Sequence, residues 1–294
     1  MPQDALGPAV AGTWYPDDRE TLASEVDSLL SAARGDGAAE RPAIRAVIAP
    51  HAGFVYSGAV AAAGFTGLRG APARTVIVIG PSHYSAFEGA VIPESTGYVT
   101  PLGPMPVSVA AAQELSRKDG FRIDDGPFRP EHSLEAEFPF LQRVLPDGFA
   151  LVPVLIGAGS GRQALDQVAR GLRELTDRGA LTIVSSDFTH YGKRFGYVPF
   201  HADVPRRIRE LDHGAVERIL ALDRDGFADY VERTGATICG HGPIEVLLRM
   251  LPAGTPGELA AYDTSGRISG DWSLSVSYAS IVFRAAGADD EMFR

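Results

Sequence analysis

The sequence predicts an α/β fold with a mainly parallel central sheet flanked by helices on both faces. Three observations carry this expectation. Apolar, β-branched runs such as 44–49 and 75–80 read as strands covered on both faces. Stretches with apolar residues at helical spacing lie between such runs. The two kinds alternate for most of the chain, as they do where helices cover a parallel sheet.

Taken in order, Ala11-Gly12-Thr13-Trp14-Tyr15-Pro16 is turn-rich, and its two aromatics are expected to pin the N-terminus to the core. Asp17 and Asp18 precede a helix over 19–33, where acidic groups suit the positive helix start. Residues 35–42 read as a polar loop. The strand at 44–49 runs into Pro50-His51-Ala52-Gly53, and the Ala-rich stretch 56–68 reads as a helix. The strand at 75–80 is followed by Pro81-Ser82-His83-Tyr84. A short strand is expected at 89–93, a Gly- and Pro-rich loop over 94–106, and a helix over 107–118. Pro130-Glu131-His132-Ser133-Leu134-Glu135 leads to Phe138-Pro139-Phe140-Leu141, with a helix start within 133–137.

Strand 149–157, helix 163–175 and strand 180–185 come next. The last of these opens into Ser186-Asp187-Phe188-Thr189-His190-Tyr191-Gly192. Helices at 204–221 and 225–233 lead to Cys239-Gly240-His241-Gly242-Pro243, and a helix over 244–251 has Pro243 near its start. Strands at 259–262 and 275–283 precede a tail over 285–294 expected to be mobile. With no fixed-period repeat and no clear linker, one domain over 1–294 is the expectation.

At 294 residues and 45% apolar, the chain has material for a sizeable core. A net charge of −10 argues against a nucleic-acid footprint, which needs a basic patch. No apolar run approaches a membrane span, and Met1-Pro2-Gln3-Asp4 lacks the marks of a signal peptide. A cytoplasmic location, without membrane or nucleic-acid partners, follows as the expectation. Cys239 is the one cysteine, so no intramolecular disulfide can form.

His51 and His83 each stand just past a strand end, the place where open α/β sheets bind ligands. With Cys239 they make the sharpest constellation, because imidazole and thiolate are good ligands for Fe, Cu or Zn. A cation would also hold the cysteine as thiolate. The competing reading makes both histidines strand-end hydrogen-bonding residues and Cys239 part of the core. Asp187 and His190, close together in one turn, are a second pair in which Asp187 orients His190 as general acid or base. The alternative is a helix-capping Asp and a carbonyl-bonded His. In a third group, Glu131, His132 and Glu135, His132 lines a pocket or the segment is a solvated helix start. Gly157-Ala158-Gly159-Ser160-Gly161 lacks the G-x-G-x-x-G spacing and reads as a turn. Ser185, Ser186, Asp187 and His190 lack the G-x-S-x-G elbow of a serine hydrolase.

Together these segments resemble the Memo family, met also as protein B of the AmmeMemoRadiSam system. The resemblance rests on 11–16, Pro50-His51-Ala52-Gly53, Gly80-Pro81-Ser82-His83, Glu131-His132-Ser133-Leu134-Glu135, 185–192 and Cys239-Gly240-His241-Gly242-Pro243-Ile244, in family order. Tyr262-Asp263-Thr264-Ser265-Gly266 and Ser275-Val276-Ser277-Tyr278-Ala279 add to it. It implies a fold similar to the class III extradiol dioxygenases, which hold Fe(II) with two histidines and a carboxylate. In the Memo family a cysteine replaces that carboxylate. The metal ligands are then His51, His83 and Cys239, with Asp187 and His190 in the same pocket and Ser82, His132, Tyr191 and His241 around it. One metal ion is implied, Fe(II) or Cu ahead of Zn, with oxidation chemistry using dioxygen. Implied partners are a small-molecule or peptide ligand and other AmmeMemoRadiSam components. A binding module without turnover and a zinc hydrolase are the other readings. Glu137, Phe138 and His241 depart from the family pattern, and His241 adds an imidazole beside the ligand set.

Overall fold

Four parallel strands form the centre of the protein because their side chains alternate between two apolar layers. The structure is a computed structural model, and it describes residues 4–33 and 42–286. The loop expected at 35–42 and the tail expected at 285–294 therefore lie almost wholly outside the described residues.

The chain opens with β1 (Ala5–Leu6) and α1 (Arg19–Ala32). The Asp18 side chain caps α1 by accepting from the Thr21 N–H at 2.8 Å, and Leu22, Val26 and Leu30 form its buried stripe. Next come β2 (Ile44–Ala49) and α2 (Phe54–Phe65), which ends in a tight turn over Thr66–Leu68. Strands β3 (Thr75–Pro81) and β4 (Ala90–Ile92) follow.

The stretch expected as a loop holds a hairpin, β5 (Gly97–Thr100) and β6 (Gly103–Pro106). Its prolines hid it, but β6 is an edge strand of the small sheet β1-β5-β6, where a missing N–H is tolerated. Helix α3 (Val109–Leu115) is shorter than expected because Ser108 caps it and Val107 bridges to Leu151 instead. After β7 (Phe121–Ile123) come α4 (Phe138–Val144), β8 (Ala150–Ile156), α5 (Arg162–Asp177), β9 (Leu181–Ser185) and β10 (His190–Gly192). The chain then forms α6 (Val204–Leu220), α7 (Arg224–Thr234), α8 (His241–Met250), β11 (Gly257–Thr264), α9 (Ser265–Ser269) and β12 (Leu274–Arg284).

The large sheet runs β10-β12-β2-β9-β3-β8-β4-β7, with β11 also paired to β12. Strands β2, β9, β3 and β8 are parallel neighbours. The pairings β12 to β2, β12 to β10 and β11, and β4 to β8 are antiparallel. The sheet thus has the expected parallel centre with helices on both faces, and its flanking strands join that centre antiparallel. The flanking strands are short or follow a direct reversal of the chain, so no helical crossover forces them parallel.

Alternation places Val47, Val76, Val78, Leu151, Leu155 and Ile183 in one layer beneath α1, α2 and α4. Ile48, Ile77, Ile79, Val152, Val154 and Val184 enter the other layer, against α5 to α8. Helix α8 is buried on all sides, and its Arg249 reaches Asp166 at 2.6 Å and Glu245 at 3.0 Å. No helix of the described residues is long and apolar enough to cross a membrane.

Candidate metal centre

Register brings the ends of three parallel strands together, since Ala49 pairs with Ser185 and Ile79 with Val184. Two residues past each end stands a side chain with chemistry: His51 after β2, His83 after β3 and Asp187 after β9. Beyond β9 the chain steps across the end of β2. The Ser186 N–H donates to Ala49 O at 2.8 Å, and the Phe188 N–H donates to Ser277 O on β12 at 2.8 Å. This crossing sets Asp187 against His51, whose backbone N–H donates to Asp187 Oδ1 at 2.9 Å.

Cys239 arrives from the loop between α7 and α8. Its neighbour Gly240 lies so close to the end of β9 that a Cβ there would sit 2.4 Å from Ser186 Cβ and 2.8 Å from Ser185 O. The Gly240 N–H donates to Ser186 Oγ at 3.1 Å. Cys239 Sγ is thereby held 3.3 Å from His51 Nε2 and 3.5 Å from Asp187 O.

One potential ligand atom from each of His51, His83 and Cys239 lies within 4.8 Å of the other two. A tetrahedral ion with bonds of about 2.0–2.3 Å keeps its ligands roughly 3.5 Å apart, so this donor set fits one. The electrostatics agree. Burial, with His83, His132 and His190 around it, drives His51 well below its ordinary value, leaving a neutral imidazole. Burial and then the charge of Asp187 push the Cys239 thiol well up. A cation is what would reverse that and stabilise a thiolate.

Glu131 orients His83. Its Oε1 accepts from His83 Nδ1 at 2.9 Å, from the His132 N–H at 3.0 Å and from the Ser133 N–H at 2.9 Å, and its Oε2 accepts from the His83 N–H at 2.6 Å. Burial works against ionisation of Glu131, yet the contacts with His83 outweigh it and hold the carboxyl down at about 2. With Nδ1–H spent on Glu131, His83 is left with Nε2 as its free nitrogen. His83, Glu131 and His132 also gather within 4.8 Å, but these four N–H groups occupy the carboxylate. Glu131 therefore orients rather than coordinates. Glu131→Gln would set an NH2 against donors; it is expected to weaken metal affinity by roughly 10–100-fold, read by chelator competition.

His132 stacks on His83 with ring centroids 4.7 Å apart, meets Trp14 edge-on at 4.3 Å and has Tyr84 Oη 3.3 Å from Nδ1. Burial, aided by His83 against the pull of Glu131, pushes His132 down to about 4. The 131–135 segment is thus buried, not a solvated helix start. Glu135 accepts from Tyr15 Oη at 2.5 Å, which pins the N-terminal segment as expected.

The other expected site residues divide. His190 shares Nδ1 between Phe188 O at 2.9 Å and Thr237 O at 3.0 Å, which places a proton on Nδ1 and leaves Nε2 outside these bonds. Asp187 is spent on the His51 backbone, so it does not orient His190 by a hydrogen bond; the two meet through charge. Burial raises the Asp187 carboxyl against the pull of His190. Ser82 Oγ donates to Ser85 O at 2.9 Å and shapes the turn beside His83. Tyr191 points the other way along its strand, stacking on Phe200 and donating to Phe200 O at 2.7 Å. His241 is the first residue of α8, and its Nδ1 lies 3.0 Å from Ile238 O. Trp14 as a wall of the site, Tyr84 and Ser185 were missed. For Tyr84, adjacency to His83 was the one available signal.

The family model described as Memo-like protein matches residues 7–282. A MEMO1 family protein of Methanopyrus kandleri is 35% identical over 290 residues, covering 94% of this chain and 98% of its own length. One from Thermococcus onnurineus is 32% identical over 291 residues with the same shares. The memo-1 homolog of Caenorhabditis elegans is 34% identical over 248 residues, which is 81% of this chain and 69% of that protein. A solved structure of an uncharacterized protein from Escherichia coli K12 matches with a TM-score of 0.50 at 15% identity. It covers 81% of this chain and 99% of that one, a likeness of fold alone. Matched along most of its length by the family model and by several relatives, the chain belongs to the Memo family.

Proposed function

We propose that this chain holds one redox metal ion, iron(II) or copper, through His51, His83 and Cys239, and uses it in oxidation chemistry with dioxygen. The observation that carries the reading is the convergence of the sole thiol with two imidazoles, all within 4.8 Å. When bound, such an ion supplies activation of dioxygen or of a coordinated substrate. The donor set is softer than two histidines with a carboxylate, which favours copper relative to that set.

The chain's own residues do the rest. Glu131 fixes the His83 ring, and Asp187 fixes the backbone from which His51 hangs. His190 offers Nε2, the ring nitrogen outside its bonds to Phe188 O and Thr237 O, as the atom to accept a proton from a bound substrate. A small molecule or peptide would enter past exposed apolar groups at the rim: Val55 and Tyr56 in the first turn of α2, Tyr84 beside His83, and Phe195 against the His190 ring. Cooperation with other AmmeMemoRadiSam components belongs to the same proposal.

Protein purified without chelators should carry about one equivalent of iron or copper. Anomalous scattering at the iron, copper and zinc edges should centre that ion between His51, His83 and Cys239. Zinc as the sole metal would move the reading to a hydrolase. An absence of metal, with ligand capture in the same cleft, would move it to a binding module.

A further inference from the structure

Behind His51 lies a second carboxyl that the proposed chemistry leaves unused. Glu137 ends the short turn Glu135–Glu137 ahead of α4 and is wholly buried. Its Oε1 is 2.8 Å from Ser185 Oγ. The same hydroxyl lies 2.7 Å from His51 Nδ1 and 2.5 Å from Ser133 O. A serine hydroxyl has one hydrogen to give and two lone pairs with which to accept. Ser133 O is a carbonyl and can only accept, so at that distance the hydrogen goes to it. Both remaining partners must then donate. For His51 this means a proton on Nδ1 and a bare Nε2, the atom that faces Cys239 Sγ. For Glu137 it means a protonated carboxyl.

A second observation agrees. Glu137 Oε2 is buried without a hydrogen-bond partner among the described residues. The carbonyl oxygen of a neutral acid tolerates that far better than an anionic oxygen does. Burial pushes the Glu137 carboxyl well up, outweighing the opposite pull of the contact with Ser185, and the like charge of Asp187 adds to the upward push.

We propose that Glu137 is a positioning residue, held as a neutral carboxylic acid, that donates to Ser185 and so keeps His51 in the Nδ1–H tautomer with Nε2 turned toward Cys239. The importance of that tautomer for metal binding rests on the function proposed above; the proton on Glu137 does not. A glutamine at 137 keeps a donor aimed at Ser185, whereas a methionine removes it.

Three measurements test this on the full chain. Infrared difference spectra between wild type and Glu137→Gln at neutral pH should show a protonated-carboxyl stretch in wild type that the variant lacks. Nitrogen NMR of the metal-free protein should find His51 as Nδ1–H in wild type and Glu137→Gln, and as a tautomer mixture in Glu137→Met. By chelator competition, iron(II) affinity should stay within about threefold in Glu137→Gln and fall on the order of tenfold or more in Glu137→Met. An ionised carboxylate at 137, or an unchanged His51 tautomer in Glu137→Met, would overturn the assignment. Wild type that binds no metal but keeps the carboxyl band and the tautomer would sink the metal reading and leave this one standing.

Discussion

Cys239→Ser should lose at least about a hundredfold in metal affinity while the fold survives. The loss exceeds the 10–100-fold typical of a residue behind the ligands, because here a ligand itself is exchanged. Serine is close to cysteine in size, but its hydroxyl does not ionise in this setting and is a harder donor than thiolate. Folding should suffer by about 1 kcal/mol or less. The thiol lies against His51 Nε2 and Asp187 O, and a serine hydroxyl can donate to either. Metal content by elemental analysis, set beside thermal unfolding, separates the two effects. Unchanged metal content in a folded variant would remove Cys239 from the ligand set and with it the proposed chemistry.

Gly240→Ala should cost stability and metal together. The added Cβ would stand 2.4 Å from Ser186 Cβ, 2.5 Å from Ser186 Oγ and 2.8 Å from Ser185 O. Neither a backbone carbonyl at the end of a central strand nor a short buried side chain can move aside freely. The loop carrying Cys239 must lift instead, which also breaks the Gly240 hydrogen bond to Ser186. A destabilisation of about 3 kcal/mol is expected, at the upper end for overpacking. Gly161→Ala is the control, because its Cβ would meet nothing within 4 Å. Urea unfolding of both variants, with metal content measured on the folded fraction, checks this. A Gly240→Ala protein as stable as wild type would show that close approach is not what places Cys239.

Much of the scaffold was legible along the chain. The strands at 44–49, 75–81, 150–156 and 181–185 announce themselves as largely apolar runs, because both of their faces are covered. The helix after Asp18 was legible from the acidic pair at its start, and the structure adds the Asp18 cap and the buried stripe Leu22, Val26 and Leu30. The hairpin Gly97–Pro106 was not, since its glycines and prolines carry the local signature of a loop and its edge position alone makes them acceptable. The short strand His190–Gly192 owes its existence to the start of β12. The acidic residues at 131, 135 and 137 look solvated in sequence, yet all three are buried, each against a partner from elsewhere in the chain: His83, Tyr15 and Ser185.

By itself the sequence determined most of the larger strands and helices and that His51, His83 and Cys239 stand at turns beside them. Capping and periodicity act over a few residues, so they can be read directly. Tertiary structure alone decided what those turns face. The pairings of Asp187 with the His51 backbone, of Glu131 with His83 and of Ser185 with His51 join residues 136, 48 and 134 positions apart. Each depends on strand order and register, which are settled when the apolar layers pack on both sides of the sheet, and no local pattern encodes them.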